Sequence, residues 1–160
     1  MANFSNYVAE ALAAYYKTGS FGNIFPHTDN QDTVGSIEFE VALYNGNSGT
    51  PDMLANNDHS HEVGGIGYTR VPVQFKDPVS YVGEGIYGQA ALINDGDVIF
   101  PTPGGSWGTV THFAVIANWS SSSQGSQSQV FMWGHLNVPQ VVGTGSPVNF
   151  PEGAIKITFR

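Results

Sequence analysis

The chain has 160 residues, a mass of 17.1 kDa, no cysteine and 41% hydrophobic residues, a size and make-up that fit a single folded domain. The missing cysteine excludes disulfides, thiolate metal sites and cysteine nucleophiles. Only 11% of residues are charged, and the five cations (Lys17, Arg70, Lys76, Lys156, Arg160) lie scattered among thirteen carboxylates for a net −8, which excludes a basic stripe for nucleic acid or an anionic membrane.

From the N-terminus, Phe4, Val8, Ala11, Leu12 and Tyr15 recur at three- and four-residue spacing. That spacing predicts one helix within residues 1–19, capped at Asn3 or Ser5 and ended at Gly19. The same stretch has neither the basic start nor the continuous apolar core of a secretory signal, so synthesis and retention in a cytoplasm are expected.

Beyond the helix the pattern changes to alternation. In SIEFEVALY, Ile37, Phe39, Val41 and Leu43 alternate with Glu38, Glu40, Ala42 and Tyr44, which predicts a strand with one wet face. Residues 45–65 follow as a long polar loop. Further strands are predicted at Tyr68–Phe75, Gln89–Ile93, Val98–Phe100, Thr109–Ala117, Gln129–Leu136, Val138–Val142 and Ala154–Phe159. Pro72 cannot donate a ladder hydrogen bond, so its strand is expected at a sheet edge or a bulge. TVTHFAVIA is apolar on both parities, so its strand is expected to be central and covered on both sides. WSSSSQGSQSQ at 119–129 carries no charge and is expected as a second long polar loop, the solvated tip of a hairpin joining two strands. Asp95-Gly96-Asp97 suits a tight hairpin turn.

Turn clusters at roughly 8–12 residue intervals favour a sandwich or barrel. The expected fold is therefore all-β: a single antiparallel β-sandwich or barrel-like domain over residues 1–160, with one short N-terminal α-helix. No run of about 18 apolar residues, the length that spans a membrane, is present in the sequence. No repeat of about 20–50 residues is evident either.

Chemistry-bearing residues form few constellations. GGSWG at 104–108 fits G-x-S-x-G with Ser106 in the nucleophile place, but that elbow needs a strand before it and a helix after it. Here Pro101 and Pro103 precede it and an alternating strand follows, so a glycine-rich turn is expected. Asp58, His59, His61 and Glu62 are the most metal-like group, with two imidazoles at i, i+2 and adjacent carboxylates. No third histidine stands at motif spacing, and Asn and Ser neighbours suit a solvated loop; whether His59 and His61 take a metal stays open. His112 and His135 fall inside strand patterns and are expected to be structural. Trp107, Trp119 and Trp133 are candidates for a sugar-stacking platform, weighed against a role as core or interface anchors. No catalytic, cofactor-binding or metal residue is assigned, and no cofactor is expected.

The second half of the chain, IFPTPGGSWGTVTHFAVI and then FMWGHLNVPQVVGTGSPVNFPEGAIKITF, resembles a family of small virion proteins of tailed bacteriophages labelled tail fibre or tail fibre-like. Val41-Ala42-Leu43-Tyr44 and Glu62-Val63-Gly64-Gly65-Ile66-Gly67-Tyr68-Thr69-Arg70 extend the resemblance into the first half. The stretches at 24–36, 45–61 and 119–129 look expanded relative to that family. The resemblance implies a non-enzymatic virion structural protein, made in the host bacterial cytoplasm. Its implied partners are other copies of itself, a trimer being one form, and the major capsid protein or tail proteins. Compactness without a repeating shaft favours a capsid decoration (cement) protein; a tail fibre or baseplate piece binding host glycans is the alternative, and a hydrolase the remote third.

Overall fold

The computed structural model describes residues 3–5, 37–46, 49–76, 79–80, 90–121 and 125–159. A five-stranded antiparallel sheet is built from β1 (Asn3–Phe4), β2 (Glu38–Asn45), β3 (Val71–Val73), β7 (Gly108–Ser121) and β8 (Gly125–Val142), in the order β1-β8-β7-β2-β3. β7 is central, as its apolar run requires, and the Pro72 strand β3 is an edge. A second sheet orders β10 (Lys156–Phe159), β5 (Ala90–Ile93) and β4 (Val79–Ser80), and β6 (Val98–Ile99) pairs with β9 (Asn149–Phe150). The described elements are thus mostly antiparallel strands with one short helix, α1 (Thr50–Ala55).

Alternation along β2 and β7 sends side chains to two cores. On one face Val41, Leu43, Val115 and Met132 meet Val98, Phe100, Phe150, Ile155 and Ile157 from the smaller sheets. This is the interior of a sandwich. On the other face Ala42, Tyr44, Ala114, Ile116, Val130 and Trp133 meet Leu54 of α1. Two irregularities in the β7–β8 ladder, at Val110/His112 and at Val115/Ile116, shift the parity of the strands. The first lets Val110 rejoin the side of Val115; the second turns both Phe131 and Met132 toward the sandwich interior.

Several expectations change. The predicted wet face of β2 is not wet along its length, because Ala42 and Tyr44 are fully buried beneath α1 and the loop after it. The first predicted polar loop, 45–65, contains the helix α1. The hairpin reading of the second, 119–129, holds, but pairing runs further along it than a solvated loop implies: Trp119 faces Gln127 and Ser121 faces Gly125. The strands predicted at 129–136 and 138–142 belong to one long β8. Asp95-Gly96-Asp97 closes no hairpin, since β5 and β6 pair elsewhere; Gly96 at φ +85° turns the chain from one sheet to the next. The helix predicted over 1–19 falls largely outside the described residues, and its residues 3–4 form strand β1 beside Trp133 and Met132.

One buried polar residue ties this second layer together. Asn94 is fully buried, and its amide donates to the carbonyls of Gly96 and Pro151 while its oxygen accepts from Ile155 N. Two stretches of chain, 94–96 and 151–155, meet on one side chain with its donors and acceptor all used.

Candidate functional site

The stretch 58–70 holds the densest set of titratable groups, and each is engaged in closing the molecule. β3 pairs with β2 only over Phe39–Val41. Beyond it the β2 edge is covered by the returning loop, with Val63 N donating to Leu43 O and Asn45 N to His61 O. Leu43 N donates to the Tyr68 hydroxyl, which in turn donates to Glu62 Oε1 at 3.1 Å. Glu62 receives a two-pronged pair from Arg70, Nε to Oε1 at 2.8 Å and Nη2 to Oε2 at 2.7 Å. An edge that would otherwise offer unpaired backbone groups is thereby clasped shut.

The metal-like quartet does not converge. His59 Nδ1 is hydrogen-bonded to the Tyr44 hydroxyl at 2.7 Å, and His61 Nδ1 to Thr50 Oγ1 at 3.0 Å. Asp58 accepts from the backbone and hydroxyl of Ser60, and these bonds hold its carboxyl below its ordinary pKa. Among the described residues no group of three or more His, Asp or Glu side chains is placed to hold an ion. Burial, with Arg70 nearby, keeps His59 neutral to lower pH than a free imidazole. Burial pushes the Tyr44 and Tyr68 phenols up, so both stay protonated donors.

His112 and His135 face each other across β7 and β8, with ring centroids 4.1 Å apart. His112 is 4% exposed, and its Nδ1 is hydrogen-bonded to Thr111 Oγ1 at 2.7 Å. Desolvation and the neighbouring His135 push its pKa down to about 4. Its Nε2 and the indole nitrogen of Trp133 are buried without a hydrogen-bond partner among the described residues. Ser106, the G-x-S-x-G serine, accepts from Gly108 N at 3.2 Å and so closes a turn. β7 rather than a helix follows it.

The tryptophans do not form a platform. Trp107, Trp119 and Trp133 are 2%, 5% and 7% exposed. Trp107 belongs to the sandwich core, where its indole donates to Ile66 O at 3.1 Å and its ring meets Tyr68 edge-on. Gly65 lies against that ring with no room for a Cβ. Trp133 sits in the opposite core. A shallow polar cleft of about 400 Å³ does open beside the hairpin, lined by Glu38, Asn118, Trp119, Ser126 and Gln127 among others.

The surface features that sequence reasoning missed lie at the end of β8. Between the pairs Val110↔Gln140 and His112↔His135, Thr111 alone faces Leu136–Pro139, so four residues bulge out of the ladder. Beside the bulge a groove of about 330 Å³ is lined by Phe113, Leu136, Val138, Phe150, Pro151 and Ala154 together with His135 and amide side chains. Val138 and Val141 are 69% and 79% exposed, and Ile66 and Ile99 are also exposed. Pro139, inside a strand-like run, was the available signal.

Residues 29–158 match the family described as Podophage GP4 fiber I protein gp80. No curated protein and no solved structure matches the chain.

Proposed function

Because the chain belongs to the podophage GP4 fiber I protein gp80 family and is thereby a phage fibre protein with a structural role in the virion, we propose that it acts without catalysis, as a fibre-associated packing module. The observation that carries the absence of catalysis is the fate of the resemblance motifs. Glu62, Tyr68 and Arg70 close the β2 edge, and Trp107 plugs the sandwich core. The side chains most suited to chemistry are used for cohesion.

The module works by rigidity and by contact. A stiff two-layer β unit presents neutral apolar surface to copies of itself and to neighbouring virion proteins, and burial of that surface stabilises the assembly by mass action. A fibre location is supported by the family description. The capsid-decoration reading is supported by the compact form without a repeating shaft, a property that a fibre's end domain shares.

A second reading is favoured by the cleft at the β7–β8 hairpin. Its lining of Asn118, Ser120, Ser126 and Gln127 offers uncharged hydrogen-bonding groups beside Trp119, the kind of surface that takes a glycan. Both readings are separable by experiment. Copy number per virion, measured against the major shell protein, places the chain in a fibre if it is sparse and on the shell if it approaches parity. Loss of binding to host-envelope sugars on Gln127→Ala supports the glycan reading, whereas turnover of ester or glycan substrates overturns the non-enzymatic one.

A further inference from the structure

We propose that the face made by the Leu136–Pro139 bulge and the groove beside it is the contact between two copies of this chain, with Val138 of one copy entering the groove of the other. The inference rests on the reading of the protein as a virion part that packs against its own copies, and it names the surface that does so.

Three observations favour a second copy as the occupant. First, knob and groove lie on one face. The bulge lifts Val138 out of the β7–β8 ladder to 69% exposure, and the groove it borders is floored by Phe113 and Phe150, whose rings lie 5.4 Å apart. A face carrying both a projection and a matching hollow satisfies both at once when it meets its like. Second, none of the groove's lining residues is Asp, Glu, Lys or Arg. Copies of a chain with net charge −8 repel one another, so a groove whose lining carries no carboxylate is where they approach at least cost. Third, the bulge is expensive to keep. Four residues facing one forfeit ladder hydrogen bonds, and Pro139 has no N–H to restore them. The core does not need Val138, because Leu136 and Phe113 already pack against it from the groove side.

Sedimentation equilibrium on the full chain tests the proposal, with Val138→Asp placing a carboxylate on the knob and Ala154→Trp filling the hollow. Both positions are exposed, so both variants keep the unfolding midpoint of the dilute protein. The expected result is self-association of the wild type that each variant weakens by about 30-fold or more, the loss typical of a central interface anchor. If the wild type associates and either variant associates as tightly, this face is the wrong one and the copy-to-copy reading stands. If the wild type stays monomeric at every concentration, both fall. In assembled virions, a photo-crosslinker on the single thiol of Val138→Cys joins two copies if the proposal holds. An adduct to any other virion protein overturns the choice of occupant.

Discussion

Arg70 grips Glu62 through two parallel hydrogen bonds, of 2.8 and 2.7 Å, at the point where β3 has ended and the returning loop takes over the β2 edge. The pair also positions the Tyr68 hydroxyl, which bridges Glu62 to the Leu43 amide. The clasp joins the two halves of the family resemblance, since Tyr68 also stacks on Phe100 and meets Trp107 edge-on.

Removing one side of the clasp strands the other. Glu62→Ala leaves a half-buried guanidinium without its carboxylate and is expected to lower unfolding free energy by about 2–3 kcal/mol in urea titration. Arg70→Lys keeps the charge but not the planar fork, so it is expected to lose part of the same stabilisation. An Arg70→Lys variant as stable as the wild type contradicts the two-pronged account.

Asn94 makes a sharper test, because the change can be a single atom. Asn94→Asp replaces the amide that donates to Gly96 O and Pro151 O with an acceptor, in a fully buried position. A loss of about 2–4 kcal/mol is expected, with the unfolding midpoint as the readout.

Gly65 lies against the Trp107 ring and the backbone carbonyl of Ser106. Gly65→Ala forces the indole off its hydrogen bond to Ile66 O and is expected to cost about 1–3 kcal/mol. Shifted tryptophan fluorescence accompanies it. Gly64→Ala has open space around the added methyl and serves as the neutral control.

Acid stability follows from His112. Its folded pKa of about 4 lies below the ordinary value of 6.5, so the fold favours the neutral ring. Above pH 6.5 both states are neutral and the contribution is complete. As pH falls from there the unfolded chain takes the proton first, and stability is lost down to about pH 4, by at most about 3 kcal/mol. His59 shifts in the same direction and adds to the slope. His112→Phe, which keeps a buried ring and removes the titrating imidazole, is expected to flatten stability between pH 6.5 and 4 relative to wild type.

Sequence pattern reached the sheet more readily than the surface. β7 was legible as central because Phe113 through Ala117 is apolar on both parities, and β3 as an edge because Pro72 lacks a donor. Ala42 and Tyr44 were misread as wet, since what buries them is a distant segment carrying Leu54, and alternation reports only the strand's own pattern. The Ser/Gln run reads as a hairpin tip by composition, but composition does not show how far the cross-strand pairing extends, which is to Ser121 and Gly125. His59, His61 and Glu62 resembled ligands because spacing gives no hint of Tyr44, Thr50 and Arg70, the partners that claim them. Val138 was counted as ordinary strand, because a four-residue bulge leaves no mark on apolar periodicity beyond the proline that follows it.

The central claim is that this chain is a fibre-associated structural part of the virion. Immunogold labelling of intact virions tests it most directly. Gold is expected to be confined to the fibre-bearing tail region, and label spread evenly over the capsid shell would overturn that placement.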